Sequence, residues 1–490
     1  MEVTTAGSAS TGIIGDVDVQ DDFTIQFDGT GAFAGVLLGN LSGTAGKTLT
    51  LNQLAATTNR YRVYGINTVM NANLVVNGNA STYAVDGTLF APYNASGSQT
   101  YNGVISGNGG LIQRGNGTTI LNGQNTFTGG TIPTGGSIAV GVDSIPTSGA
   151  VVSSPIGAGA LLLSPEIPAL TGSGTMLAFG GARTIANPIQ YPSATNNLTL
   201  IVGGTNALTF TGPYTLNGND ATGTQTNRTI QINNTNTLTT ISGVVSGSGF
   251  GLIKTGTGIL DLTAAETYTG ATAISNGTLR VNGSLDAASA VTVASTGILG
   301  GQGTVGGSVT VLAGGSIAPG NSIGTLTVGG NLTHAGNLSI EVNRSGSASD
   351  QVNVSGSRTN SGTGTVTITN LGAALQAGDT FTLFNGPLLN GNALTISGAS
   401  AVWTNKLALN GTISVVTPIS TTPTNISYTV SGSTLTLSWP LDHLTWTLQS
   451  NIVSVVSTNW FAVPGSANNN QHVITVNPAR SNVFYRMVYP

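Results

Sequence analysis

Along residues 241–342 short apolar runs recur with Gly and Asn between them. Leu279-Arg280-Val281, Val291-Thr292-Val293, Val309-Thr310-Val311 and Leu326-Thr327-Val328 each place a polar residue between two apolar ones, the alternation of a half-buried strand. The runs line up in three columns. Leu279, Ile298 and Ile317 are spaced by 19, Leu285, Val305 and Ile323 by 20 and 18, and Val291, Val309 and Leu326 by 18 and 17. Three short strands per period of about 18–19 residues, each ending in a turn, predict a triangular β-solenoid whose core grows along one axis. No stretch carries a convincing period of 3.6.

The same pattern returns upstream. VISG at 104–107 parallels VVSG at 244–247, LIQR at 111–114 parallels LIKT at 252–255, FTGGT at 127–131 parallels YTGAT at 268–272, and GSIAV at 136–140 parallels GTLRV at 277–281. The offset is 140 or 141 throughout, the mark of an internal duplication. Four stretches follow. Residues 1–100 read as an N-terminal cap with the first coils, since a solenoid end exposes unpaired backbone and needs covering. Residues 101–240 read as solenoid with the first repeat copy, loosened by prolines at 146, 155, 165, 168, 188 and 192. Residues 241–417 carry the main repeat. A Pro/Thr/Ser linker at 417–424 leads into residues 418–490, where short strands surround Trp439, Trp446 and Trp460, as in a small immunoglobulin-like β-sandwich.

Composition narrows the function. Charged residues are 6% of the chain, against a typical ~25%, and 71 of 490 residues are Gly. Disorder generally brings high net charge and few β-branched residues, whereas here the net charge is −4 and Val, Ile and Thr recur in alternation. Thirteen scattered Lys and Arg give no electrostatic footprint for nucleic acid. No run of 18 apolar residues predicts a transmembrane helix. Cysteine is absent, which removes thiolate catalysis and Cys-ligated zinc. The first residues, Met1-Glu2-Val3-Thr4-Thr5, carry neither the basic nor the apolar region of a signal peptide, so the residues leave two expectations, a cytoplasmic protein or a mature start.

Candidate chemistry is thin. Asp16, Asp18, Asp21, Asp22 and Asp28 crowd 13 residues; the first four are candidate calcium ligands, weighed against solvated cap charges. Glycoside hydrolysis needs two carboxylates about 5–10 Å apart, and Asp261 with Glu266 is the nearest pair in sequence. His334, His443 and His472 lack a Ser/Asp or metal-ligand neighbourhood. Trp439, Trp446 and Trp460 are candidate sugar or partner contacts, weighed against a core role because they sit within alternating strands. Sequons such as Asn94, Asn116 and Asn197 are expected by chance in so Asn- and Thr-rich a chain, where stacked Asn and Thr are better read as ladders. No other cofactor is expected.

The run GLIKTGTGILDL at 251–262, then YTG at 268–270 and ISNGTLRV at 274–281, resembles the autotransporter-associated β-strand repeat, and GSIAPGNSIGTLTV at 315–328 resembles the segment that trails it. Residues 101–141 resemble a second, worn copy. The tail, with LSWP at 437–440, WTLQ at 446–449, Asn459-Trp460 and FYRM at 484–487, resembles a C-terminal module of secreted Verrucomicrobia proteins. The resemblance implies export to the outer surface of a Gram-negative-type bacterium and a right-handed parallel β-helix passenger. The expected terminal barrel of ~12 amphipathic strands is not evident, so export by another route is expected. Some 300–350 residues at ~18 per coil and ~4.8 Å per coil predict a shaft on the order of 80–90 Å. The expected function is a secreted structural protein, a filament subunit or adhesin shaft whose partners are copies of itself. The alternative is a β-helix that binds surface glycans or cleaves polysaccharide.

Overall fold

The solenoid strands typically form where inward apolar side chains alternate with outward polar ones between residues that can turn, as in Val309–Val311 and Thr325–Val328. The computed structural model describes residues 2–3, 11–27, 35–53, 60–63, 68–77, 89–92, 96–163, 172–191, 198–216, 218, 227–234, 238–477 and 482–489. Strand accounts for 52% and helix for 4%. The architecture is a parallel β-solenoid, as the periodicity predicts. Two compact units divide it. The first comprises Met1–Ile317, Leu326–His334 and Val354–Ser357; the second comprises Ala318–Thr325, Ala335–Asn353 and Arg358–Pro490.

In the first unit successive coils pair in parallel, residue above residue. Leu252 pairs with Thr272, Thr272 with Val291, Val291 with Val309 and Val309 with Leu332. A second face stacks Ile241, Leu262 and Val281, and a third stacks Leu285, Val305 and Val328. All these side chains are buried. Burying a Val, Leu or Ile side chain stabilises by ~1.5–3 kcal/mol, so the columns drive the stacking.

Three column assignments shift. Leu279 pairs with Leu299 and leaves Ile298 half-buried; Val305 pairs with Val328 rather than Ile323; Val309 pairs with Leu332 rather than Leu326. A constant period fails here because turn lengths differ. Coils starting at Leu252, Thr272 and Val291 take 20, 19 and 18 residues, and the one starting at Val309 takes 23.

The described strands of the first hundred residues are coils of the same kind: Phe23 pairs with Leu49, Leu49 with Leu74 and Leu74 with Ile105, all in parallel. The proline-rich stretch keeps the pairing, from Thr131 to Leu161, Ile189, Tyr214 and Val245, while its longer coils carry excursions. One is an antiparallel hairpin, Ile145–Thr147 with Ala150–Ser153, which contains Pro146. Pro165, Pro168 and Pro192 lie outside the described residues.

At one corner of the coil the backbone of successive coils crowds the space a Cβ would take at several glycines. A Cβ on Gly103 would strike the carbonyl of Ala72, and one on Gly123 that of Gly103. The same holds for Gly243 over Gly212, Gly283 over Ala264 and Gly303 over Gly283. These glycines serve close approach of backbone to backbone, the condition for coils to stack at strand spacing.

In the second unit parallel pairing continues from Leu338 to Val366 to Ile396. It then changes sense. Thr412–Pro418 runs antiparallel to both Thr380–Thr382 and Ala401–Lys406. The tail is two three-stranded antiparallel sheets, one of Ser427–Ser431, Thr434–Ser438 and Gln471–Thr475, the other of Phe461–Ala462, Thr447–Asn451 and Phe484–Val488. Leu437, Trp439 and Leu448 form the core between them. The linker is a fixed strap: Trp446 Nε1 donates to Ser420 O at 2.8 Å, and His443 Nε2 lies 2.7 Å from Thr422 O.

The glycine corner gives a direct stability test. Gly283→Val drives a branched side chain into the Ala264 carbonyl and should cost at least ~2 kcal/mol in chemical denaturation. Gly15→Ala, with open space around its Cβ, should change stability by less than ~0.5 kcal/mol.

Candidate functional site

Chemistry-bearing side chains gather inside the repeat, where the fold buries them. Lys254 lies in the strand Gly251–Thr255 and is fully buried. Its Nζ donates to the carbonyls of Thr255, Gly256 and Asn276 at 3.0, 2.9 and 3.0 Å. Burial lowers its pKa to about 8. Gln113, 141 positions earlier, has the matching role: its Nε2 donates to Gly115 O at 3.3 Å and Gly117 O at 3.4 Å, and its Oε1 accepts from Thr119 Oγ1 at 2.5 Å. Both residues satisfy turn carbonyls that face inward, out of reach of water.

A second matched pair is Asn125 and Glu266. Asn125 Oδ1 accepts from Ile105 N at 2.7 Å, and Glu266 Oε2 accepts from Val245 N at 2.5 Å. Each side chain thus holds a main-chain N–H of the preceding coil. Asn125 also donates, from Nδ2 to Pro155 O at 2.6 Å. Glu266 Oε1 is buried and has no hydrogen-bond partner among the described residues. Burial pushes the Glu266 carboxyl up to about 7, against the pull of the Val245 amide. A protonated carboxyl here is the nearest equivalent of the amide in the other copy.

Arg228 is a third buried polar side chain. Its Nε donates to Leu216 O at 2.9 Å and its Nη2 to Gly218 O at 3.0 Å. The guanidinium also lies 4.8 Å from the Tyr191 ring centre and 4.9 Å from that of Phe250.

The sequence candidates fall as follows. Asp261 and Glu266 act in opposite directions along the stack. Asp261 Oδ1 accepts from Asn282 Nδ2 of the next coil at 2.7 Å, whereas Glu266 reaches back to Val245. Burial raises the Asp261 pKa, opposed by Asn282 and then by Arg280. The pair does not converge on a common cleft. Asp16, Asp18, Asp21 and Asp22 each bind the next coil: Asp16 takes Asn40 N at 2.7 Å, Asp18 takes Ser42 Oγ at 2.8 Å, Asp21 takes Lys47 Nζ at 2.8 Å and Asp22 takes Thr48 N at 2.8 Å. The bonds lower the pKa of Asp16 and Asp21; that of Asp18 is lowered first by Gln20, whose Nε2 donates to Oδ2 at 2.6 Å, and then by Ser42. Among the described residues no three acidic, Cys or His side chains are grouped to hold a metal, and each of these four is hydrogen-bonded to the next coil. Asp28, Asn94 and Asn197 lie outside the described residues, and Asn116 is exposed at a turn. Asn ladders do occur: Asn102 donates to Asn71 and Asn122 to Asn102, both at 2.8 Å.

Trp439 and Trp446 are buried, so neither offers a face to a sugar ring. Trp460 is half-buried, with the Arg486 guanidinium 4.3 Å from its ring centre. His443 Nδ1 lies 2.7 Å from Asp442 Oδ1, and its ring packs 4.9 Å from that of Trp446. His334 is buried in a solenoid strand and His472 lies half-buried in the tail. Lys254, Arg228 and the inward role of Glu266 escaped sequence reasoning. The offset of 141 was the available signal, because it aligns Lys254 with Gln113 and Glu266 with Asn125.

The fold is thus a parallel solenoid carrying two matched repeat copies. The family model of the passenger-associated-transport-repeat matches residues 111–140 and 252–281, the same two copies. These repeats suggest an autotransporter passenger domain, a secreted and surface-associated type of protein. No curated protein matches the chain. Among the described residues no helix is long and apolar enough to cross a membrane.

Glu266 makes stability depend on pH. Its pKa is near 4.5 when unfolded and about 7 when folded, so between these values the folded state holds a proton that the unfolded chain has released. Stability is fully present below about 4.5 and falls as pH rises through about 7, by on the order of 2–3 kcal/mol from this group. Asp350, raised from 3.8 to about 6 by burial, adds a loss of the same sign. Glu266→Gln keeps the acceptor for Val245 N and cannot ionise. Urea denaturation of this variant should show a shallower fall between pH 5 and pH 8, and higher stability than the parent at pH 8.

Proposed function

We propose that this chain is a structural passenger: a secreted β-solenoid shaft displayed at the cell surface, as the subunit of an extracellular filament or the stalk of an adhesin. It has no catalytic role and needs no cofactor. Its partners are other copies of the same chain, met through the solenoid ends and the terminal modules.

The observation that carries this reading is the direction of the repeat's polar groups. Lys254, Glu266, Asp261 and Gln113 are held by turn carbonyls, main-chain amides or neighbouring side chains. A catalytic carboxylate pair must face one substrate atom from two sides, and the nearest pair here points along the stack in opposite senses. The low charge supports assembly as well, because a Gly/Asn/Thr/Ser surface lacks the repulsion that opposes close contact between copies.

Negative-stain microscopy of the whole protein at rising concentration tests this. Filaments or laterally joined shafts are expected. Isolated particles at every concentration would contradict the filament reading. Release of reducing or unsaturated ends from pectin-like polymers would favour the polysaccharide-cleaving alternative.

A further inference from the structure

The tail sheet ends in a strand that no other strand covers among the described residues. Ser427–Ser431 is an edge strand, and all five of its residues are exposed. It pairs with Thr434–Ser438 without a register shift, placing Tyr428 opposite Leu437 and Val430 opposite Leu435. Residues directly opposite in an antiparallel pair share a face. Leu437 is core, and Leu435 and Ile474 pack against that core. Tyr428 and Val430 therefore extend the core face of the sheet, yet they are 71% and 62% exposed.

This edge lacks the usual protections. Its sheet contains no Asp, Glu, Lys, Arg or Pro, and neither strand pairing is interrupted by a bulge. The two-residue turn Gly432-Ser433 makes Ser431 and Thr434 a hydrogen-bonded pair, as in hairpins of this length. By alternation, Tyr428 and Val430 then direct their main-chain N–H and C=O groups away from the sheet.

We propose that Ser427–Ser431 is a homotypic docking strand, through which two copies of the chain pair antiparallel about a twofold axis at Thr429. The strand is its own complement: Ser, apolar, Thr, apolar, Ser reads the same in both directions. The twofold arrangement sets Tyr428 against Val430 of the second copy and Val430 against Tyr428. Both are hydrogen-bonded pairs, and both are aromatic against β-branched on the core face. Thr429 faces Thr429 of the second copy on the outer face. A slip of one residue would turn the apolar side chains outward, so the register is fixed. The contact is isologous and closes as a dimer. Pairing of two short strands lies at the small end of interface sizes, which points to reversible association in the micromolar range. The inference rests on the structural-subunit reading and names one of its contacts.

The absence of cysteine makes the test clean. Sedimentation equilibrium of the full chain up to ~100 µM should show a monomer–dimer equilibrium. Tyr428→Lys with Val430→Lys should weaken it at least ~10-fold, because the new charges face each other. Under mild oxidation Thr429→Cys should give a covalent dimer, since facing non-hydrogen-bonded residues lie ~4.5 Å apart, within disulfide reach. Val473→Cys, on the opposite edge strand, should stay monomeric. A wild-type chain that is monomeric throughout, with Thr429→Cys unlinked, would overturn the proposal and leave the edge to a strand from another protein. Cross-linking of Val473→Cys to the same extent would overturn it too. Assembly unchanged by the double substitution would refute this contact while leaving the structural-subunit reading standing.

Discussion

The fold depends on main-chain hydrogen bonds made between coils, one coil above the next. A strand of the parallel stack finds its partners on the neighbouring coils, 20 residues on for Leu252 and 31 for Tyr214. Coils must therefore approach to strand spacing all the way round, at the turns as well as along the faces. Two features of the chain follow from that single demand. Glycines line the corner where backbone lies on backbone, as at Gly243 and Gly283. Polar side chains sit inside the turns where carbonyls would otherwise be stranded, as at Gln113 and Lys254.

The duplication shows how different residues meet the same demand. Gln113 and Lys254 share a position, and so do Asn125 and Glu266. In each case a neutral amide in one copy stands where an ionisable group stands in the other. The job is to hold turn carbonyls or a main-chain amide, and hydrogen-bonding geometry rather than charge decides whether a residue does it. Burial shifts the ionisable versions toward neutrality, Lys254 downward and Glu266 upward. These buried groups lie against main-chain polar groups: Lys254 meets the carbonyls of Thr255 and Gly256 in its own coil, and Glu266 meets the amide of Val245 in the preceding one.

Much of this was legible in the sequence. The alternation of Val309-Thr310-Val311 and the offset of 140–141 between copies identify strands, coils and duplication, because both reflect side-chain direction, which has a fixed period. Register past Val309 was not legible. The spacing of apolar residues does not say how many residues a turn takes, so Leu326 looked like the partner that Leu332 proves to be. The interior of the repeat was hidden for a related reason. Lys254 falls in an alternating strand and reads as a solvated lysine until the carbonyls of Gly256 and Asn276 are placed around it. Trp439 and Trp446 had both readings open, and packing against Leu437 and Leu448 or beside His443 decided for the core.

The central claim is that distant parts of the chain lie one strand spacing apart per coil. Thr229, Ile253, Ala273, Thr292, Thr310 and Thr333 form one outward column, each paired in parallel with the next. Thr229 and Thr333 are thus five coils apart. Spin labels at Thr229→Cys and Thr333→Cys, the only thiols in the chain, report this by pulsed dipolar spectroscopy. The account predicts a narrow distribution centred near ~24 Å, five steps of ~4.8 Å. A broad distribution, or one centred beyond ~40 Å, would contradict it.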